Sequence, residues 1–256
     1  TGSTDIIVHA GTAYATLYQC GEAWMLDPVT LGSRGKAPWV PLDGISAHPK
    51  VDEATGEMMF FNYSKYAPFM HYGVVNREGR LVHYVPVPLP GPRLPHDMAI
   101  TTNWSILNDM PLFWDEELLR RDIHAARLHE GVPTRFALIP RHGQPEEIRW
   151  FEAEPTYTLH WLNAWEEGDE IVLDGYYQEE PQPKSHPEAP EGLERMMAYL
   201  SQGLMKPKLH RWRFNLKTGE TREERLTDRI VEFGMINPAY AMKKSRYVWS
   251  TTTRPG

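Results

Sequence analysis

The sequence has a single cysteine, Cys20. An intrachain disulfide is therefore excluded, and such low cysteine usage is typical of a reducing compartment, so we expect a cytoplasmic protein. No basic side chain that would activate the Cys20 thiol can be assigned from the sequence. We therefore interpret Cys20 as a small packed residue rather than a nucleophile.

The sequence also lacks runs rich in lysine or arginine, and its formal net charge is −7. Binding to nucleic acid needs a basic patch that neutralises phosphates, so nucleic acid is not an expected partner. Long apolar runs are missing as well. None approaches the roughly 20 residues that a membrane helix needs, so we expect no transmembrane segment, although peripheral contact with a membrane is still compatible with the sequence.

The chain of 256 residues does not begin with methionine, and its first residues, TGSTDIIVHAG, look like the inside of a strand. They also lack the basic and apolar regions of a secretory signal. Hydrophobic residues make up 41% of the chain, enough for a sizeable core. We expect residues 1–256 to form a single partial domain whose N-terminal part is missing.

Short strands separated by tight turns dominate the pattern. Runs rich in β-branched and aromatic residues predict strands at Met58–Phe61, Tyr72–Val75, Glu170–Leu173 and Arg211–Phe214. Turn signals follow at Asp52–Gly56, Asn76–Gly79 and Lys217–Gly219. Helical spacing of apolar residues predicts helices over Asp115–Glu130 and Glu191–Leu204. The sequence therefore predicts an all-β body, a sandwich, barrel or propeller, that carries short helical insertions.

Three histidines share a local context. His48, His96 and His160 each precede a short strand, a turn and a second strand. Their separations of 48 and 64 residues are comparable to the about 40–50 residues of a four-stranded propeller blade. If each histidine opens a blade, the three imidazoles point toward one axis, where they would form a metal site.

Spacing alone leaves other interpretations open. The chain has 11 histidines, and these three are equally consistent with side chains held in the core or on the surface by backbone hydrogen bonds. Three histidines also suit catalytic zinc with an open fourth position. The sequence has no HExxH, no paired cysteines and no GxGxxG that would indicate another chemistry.

The residues around these histidines resemble the metal motifs of the carotenoid oxygenase family. The segment Ala47–Lys50 (AHPK) is similar to the first motif, Leu94–Thr101 (LPHDMAIT) to the second, and His160–Glu166 (HWLNAWE) to the third. Their order and spacing match over essentially the whole chain. The resemblance is nearest to the bacterial branch that includes lignostilbene-cleaving enzymes.

This resemblance implies a seven-bladed β-propeller under a helical dome, with one Fe(II) held on the axis by four histidines. His48, His96 and His160 would be the first three ligands. The family's fourth histidine follows a Gly-rich turn that this chain does not contain. We therefore expect an internal fragment that lacks the C-terminal blades as well, with the helices forming part of the dome.

A second departure concerns the residue that orients a ligand. The family usually has a glutamate, hydrogen-bonded to a ligand histidine, at the position of Gln19. We expect Gln19 to take this place without the charge. Stilbene-cleaving members have a lysine one residue earlier for the substrate phenol, whereas this chain has Tyr18, which disfavours a 4-hydroxystilbene substrate.

The resemblance implies an Fe(II) dioxygenase that uses O₂ to split a conjugated double bond of an apocarotenoid, carotenoid or stilbene-like substrate into two carbonyl products. A metal-dependent isomerase or hydrolase on the same propeller is the alternative, and O₂ dependence separates the two. A propeller used only for binding is disfavoured, because such a protein has no need of imidazoles on its axis.

Overall fold

A computed structural model describes residues 4–182 and 202–252. In this part of the chain strands predominate and helices are few, so the all-β prediction is confirmed. No helix among the described residues is both long and apolar enough to cross a membrane. The chain divides into two compact units: a first unit of Thr1–Asp109 and Phe136–Trp150, and a second unit of Met110–Arg135 and Phe151–Gly256.

The first unit contains two antiparallel four-stranded sheets in which the strands follow chain order. One sheet consists of β1 (Asp5–His9), β2 (Thr12–Thr16), β3 (Trp24–Leu26) and β4 (Ser33–Lys36). The other consists of β5 (Lys50–Asp52), β6 (Glu57–Tyr63), β7 (Met70–Val75) and β8 (Leu81–Pro86). A buried core that includes Tyr14, Trp39, Met58, Phe60 and Val75 draws on both sheets.

The turn between β5 and β6 shows how local sequence sets these hairpins. The carboxylate of Asp52 accepts the Ala54 N–H at 2.9 Å, and the Gly56 N–H donates to the Asp52 carbonyl at 2.7 Å. Gly56 has a φ of +74°, which glycine adopts without steric cost. A Cβ at this position would meet the Cβ of Arg77 at 2.7 Å, so the turn needs glycine for space as well.

Three further pairs of consecutive strands follow. The strands β9 (Ala99–Ile100) and β10 (Trp104–Asp109) precede the pair β11 (Leu112–Trp114) and β12 (Ala126–Leu128), after which come β13 (Thr134–Pro140) and β14 (Arg149–Ala153). A four-stranded sheet has the order β14-β13-β10-β9. The chain passes from one unit to the other inside β13 and again inside β14. A 3₁₀ helix, Pro145–Glu147, precedes β14.

The second unit contains one four-stranded and one two-stranded sheet besides the β11–β12 pair. The larger sheet consists of β15 (Trp161–Glu167), β16 (Glu170–Gln178), β17 (Pro207–Asn215) and β18 (Thr221–Arg225). The smaller sheet pairs β19 (Val231–Met235) with β20 (Trp249–Thr252), and the 3₁₀ helix Pro238–Tyr240 lies between them in sequence. The four predicted strands are confirmed, since they lie within β6, β7, β16 and β17.

The predicted helix over Asp115–Glu130 is wrong in its extent. The observed helix, α1, covers only Glu116–Arg120 and starts at Asp115, whose side chain accepts the Leu118 N–H. It has no buried residue, so no apolar face stabilises a longer helix. Asp122 has a φ of +58°, which ends the helical conformation, and residues 126–128 pair with β11 instead.

The second predicted helix lies mostly outside the described residues. Of Glu191–Leu204, the structure describes only the part from residue 202, where the short helix α2 (Gln202–Met205) begins. The prediction of a helix over the earlier residues stays a prediction.

Candidate metal centre

The three predicted histidines occupy equivalent positions in three sheets. His48, His96 and His160 each lie one to three residues before β5, β9 and β15, respectively. Each of these strands is the first in sequence and an edge strand of a four-stranded sheet. The predicted unit of histidine, short strand, turn and strand is therefore confirmed in all three places.

The first unit brings His48 and His96 together. Their Nε2 atoms are 3.0 Å apart, and the ring centroids are separated by 4.7 Å with an angle of 61° between the planes. Two imidazole nitrogens at this distance share a proton or direct their lone pairs to the same cation. The His48 side chain is only 12% exposed, which shields the pair from water.

A carboxylate fixes the orientation of the His48 ring. The Nδ1 atom of His48 lies 2.9 Å from the Oδ2 of Asp5, the first residue of β1. Because a carboxylate accepts, Nδ1 carries the proton and Nε2 keeps its lone pair, as a metal ligand requires. Burial raises the pKa of Asp5, but the hydrogen bond to His48, the electrostatic interaction with that ring, the Ile6 N–H and the charge of Lys50 lower it, so the net pKa is below its usual value.

An ion pair anchors the segment that carries His96. The Lys50 ammonium of β5 lies 2.6 Å from the Oδ1 of Asp97, whose side chain is 2% exposed. The same oxygen accepts the Met98 N–H at 2.7 Å, and Asn108 donates to the Asp97 carbonyl at 2.8 Å. Residues adjacent to the two histidines are thus tied to each other.

The second unit holds His160 in a similar way. Its Nδ1 lies 3.0 Å from the Oε2 of Glu232 in β19, and the Phe233 N–H donates to the same oxygen. The Glu232 side chain is 2% exposed, and within the described part of the chain its Oε1 has no hydrogen-bond partner. The Phe233 ring, at a residue with a φ of +52°, stands 5.0 Å from the imidazole.

Gln19 lies elsewhere. It is exposed in a tight turn with a φ of +69°, and no hydrogen bond joins its side chain to a histidine in the described residues. The carboxylates that contact His48 and His160 are Asp5 and Glu232, which sequence reasoning missed. They are separated from their histidines by 43 and 72 residues, so no local motif pointed to them.

Cys20, in the same turn, has its predicted character. The Cys20 sulfur accepts the Tyr63 N–H at 3.2 Å, and burial raises the pKa of the thiol to about 12, so Cys20 is a packed residue with an unreactive thiol. The Tyr18 ring stands 5.0 Å from that of His96.

The donor set fits a metal ion. Two Nε2 atoms converge in the first unit, and in each unit an imidazole Nδ1 is bonded to a carboxylate that makes the ring a stronger donor. The buried Oε1 of Glu232, which has no hydrogen-bond partner in the described residues, also favours a nearby cation. A carboxylate that is buried with an unpaired oxygen costs free energy unless a positive charge lies near it.

Comparisons with known proteins identify relatives of this chain. The family described as retinal pigment epithelial membrane protein, RPE65, matches residues 1–256. Carotenoid 9,10(9',10')-cleavage dioxygenase 1 of Pisum sativum is 36% identical over 211 residues, which are 81% of this chain and 37% of that protein. Isoeugenol monooxygenase of Pseudomonas putida is 31% identical over 261 residues, which are 99% of this chain and 53% of that protein.

A solved structure shares the fold. Lignostilbene dioxygenase of Pseudomonas brassicacearum superimposes with a TM-score of 0.82 at 24% identity, over 100% of this chain and 54% of that chain. The chain therefore spans about half the length, or less, of the proteins it matches. Since the family match extends over all 256 residues, this chain belongs to the RPE65 family, the carotenoid oxygenases.

Proposed function

We propose that the whole protein containing this chain is an Fe(II)-dependent dioxygenase that cleaves a conjugated carbon–carbon double bond into two carbonyl products. The observation that carries the proposal is the His48–His96 pair. Two imidazole nitrogens stand 3.0 Å apart, one of them on a ring held by a carboxylate, in a chain of the carotenoid oxygenase family.

The iron ligands proposed from this chain are His48, His96 and His160, with a fourth histidine supplied from outside it. Two observations support the set. All three precede the first strand of a four-stranded sheet, and both His48 and His160 donate an Nδ1–H hydrogen bond to a carboxylate, which leaves Nε2 for the metal. Bound iron would supply the O₂ chemistry, while the chain supplies binding, ring orientation and shielding from water.

The carboxylates near these histidines favour oxidation over hydrolysis. Asp5 and Glu232 each accept a hydrogen bond from an imidazole, so each is already engaged as an orienting group. Hydrolysis needs a general base within reach of an attacking water. The hydrolase alternative is disfavoured, because the carboxylate oxygens that contact these histidines, Asp5 Oδ2 and Glu232 Oε2, are already engaged with imidazoles.

The proposed substrates are O₂ and a hydrophobic conjugated molecule, an apocarotenoid, carotenoid or stilbene-like alkene; nucleic acid is not a proposed partner. By their names, the relatives act on carotenoids and on isoeugenol. Aromatic rings flank the histidines, Tyr18 beside His96 in the first unit and Phe233 beside His160 in the second. Such flat apolar faces suit a polyene or an aryl alkene.

The proposal extends to the architecture and location of the whole protein. Residues 1–256 would be one incomplete domain, and the four-stranded sheets would be blades of a seven-bladed propeller capped by a helical dome. Two observations support this arrangement: the strands follow chain order in the sheets β1–β4, β5–β8 and β15–β18, and a proposed ligand histidine precedes each of the strands β5, β9 and β15. We propose a cytoplasmic location from the single cysteine, which localisation of a tagged natural protein would test.

Product analysis under ¹⁸O₂, with metal content quantified, tests the function. The natural protein should contain iron, consume O₂ and form two aldehydes or ketones from a panel of apocarotenals and stilbenes. Label from O₂ should appear in the products. Full activity without O₂, or with zinc in place of iron, would contradict the proposal and favour a hydrolase or isomerase.

A further inference from the structure

Asp5 reaches His48 from another sheet. It is the first residue of β1, in the sheet β1–β4, whereas His48 lies shortly before β5 in the sheet β5–β8. The 2.9 Å contact between Oδ2 and Nδ1 therefore bridges two sheets of the first unit. Such a contact exists only if both backbones are held in place.

Buried hydrogen bonds hold both backbones. The hydroxyl of Thr16, which is fully buried in β2, lies 2.7 Å from the Ala47 carbonyl and 3.2 Å from the Asp5 carbonyl. One hydroxyl thus touches the residue before His48 and the residue that orients it. The Asp5 carboxylate is aimed by its own chain as well, because Oδ1 accepts the Ile6 N–H at 2.8 Å.

We infer that Asp5 is a positioning residue for the metal centre: it holds the His48 imidazole in the tautomer and rotation that present Nε2 beside the Nε2 of His96. This inference rests on the proposed function, since it assigns Asp5 a role toward the ion that those nitrogens would bind. Asp5 touches no reacting group, and it acts only through His48.

The exposure of Asp5 separates this role from a structural one. Its side chain is 38% exposed, and exposed ion pairs contribute little to folding. Losing the carboxylate should therefore weaken metal binding much more than it weakens the fold. Replacing a purely structural residue would weaken the fold more than it weakens metal binding.

The test compares Asp5→Ala and Asp5→Asn with Asp43→Asn in the natural protein. Asp43 is a matched control, because its carboxylate lies 3.9 Å from the Nδ1 of His71 in the same unit, away from the proposed ligands. Co²⁺ is the probe. Its affinity and the absorption spectrum of the Co²⁺-loaded protein are measured, together with the thermal unfolding midpoint of the metal-free protein.

Asp5→Ala should weaken Co²⁺ binding about 10–100-fold and alter the spectrum, as loss of an outer carboxylate does at other metal sites. Asp5→Asn, which keeps an acceptor oxygen but no charge, should lose less. Asp43→Asn should match the wild type, and the metal-free midpoints should agree.

Two other outcomes are distinguishable. If the wild type binds Co²⁺ and Asp5→Ala binds it equally well with the same spectrum, the role of Asp5 is refuted while the proposed function stands. If the wild type binds no Co²⁺, the proposed metal site fails and this inference fails with it.

Discussion

Asp5 in the first unit and Glu232 in the second make the same bond to a histidine from different surroundings. Both accept a hydrogen bond from an imidazole Nδ1–H at about the same N···O distance, 2.9 and 3.0 Å. The Asp5 side chain is 38% exposed, whereas that of Glu232 is 2% exposed. Water can solvate the first carboxylate when its histidine moves away, and it cannot solvate the second.

This difference in burial sets how strongly each carboxylate depends on a cation. A charge removed from water interacts more strongly with its neighbours and costs more when they are absent. Glu232 also keeps an oxygen without a partner in the described residues. In both units a carboxylate orients a histidine. Metal binding should be more sensitive to loss of Glu232 in the second unit than to loss of Asp5 in the first.

The units share a second feature. In each unit, an aromatic ring from the neighbouring strand lies over a glycine. In the first unit Gly73 is paired with Phe60, and in the second Gly175 is paired with Trp161. A Cβ on either glycine would approach the ring to 2.4 Å. Only in the second unit is that ring adjacent in sequence to a proposed ligand, His160.

The largest effect is expected from His160→Ala, compared with His210→Ala in the same unit. Loss of a proposed ligand should remove bound iron and reduce activity below detection, as should His48→Ala and His96→Ala. His210 pairs with Glu223 of the neighbouring strand, so its loss should leave the iron content unchanged. Metal analysis measures the iron content, and O₂ uptake measures the activity. An iron-replete His160→Ala protein would show that the second unit supplies no ligand.

Glu232→Gln should have the next largest effect. It should weaken Co²⁺ binding by up to about 100-fold and by more than Asp5→Asn does, because a buried charge acts in a low dielectric. The metal-free protein should be no less stable than the wild type, since glutamine removes a buried charge that has an unpaired oxygen. Titration with Co²⁺ and thermal unfolding measure the two effects. Equal losses of Co²⁺ affinity in Glu232→Gln and Asp5→Asn would show that burial does not determine how strongly each carboxylate affects metal binding.

Gly73→Ala and Gly175→Ala should each destabilise the protein by about 1–3 kcal/mol, the usual cost of overpacking. Gly175→Ala should also weaken Co²⁺ binding, because displacement of Trp161 moves the neighbouring His160. Gly73→Ala should leave binding unchanged. Denaturant unfolding and Co²⁺ titration of both variants separate the effects, and unchanged binding in Gly175→Ala would show that Trp161 does not position the ligand.

The smallest expected effect concerns surface charge and pH in the second unit. Hydrogen bonds from Lys244 and Arg213 lower the pKa of Glu167 from 4.5 to about 2. A lowered carboxylate pKa stabilises the fold above the unfolded value of 4.5, and the stabilisation is lost as the pH falls toward about 2. Because water reaches these groups and screens their charges, the free energy involved is at most about 1 kcal/mol.

The measurement is the difference in free energy of unfolding between the wild type and Glu167→Gln from pH 7 to pH 2. The difference should be present at neutral pH and vanish at the acid end. In the first unit Asp27 also has a pKa of about 2, but there the hydrogen bonds from the Thr30 and Val29 N–H groups come first among the causes. A difference for Glu167→Gln that does not change with pH would refute the ion-pair explanation.

The sequence by itself determined the strands, the turns and the three histidines. Strands such as Met58–Phe61 and turns such as Asp52–Gly56 depend on neighbouring residues, which can be read along the chain. The histidine motifs were also local, because each places its side chain immediately before an edge strand. Helical spacing at Asp115–Glu130 misled, since apolar periodicity does not show whether a face will be buried.

Only the tertiary structure decided which groups surround the histidines. The expected position, Gln19, is exposed, and the orienting carboxylates come from Asp5 and Glu232, which are 43 and 72 residues from their partners. Their places follow from the strand pairing of β1 and β19. A hydrogen bond between distant residues depends on distance and angle in space, and the order of residues along the chain contains neither until the sheets have formed.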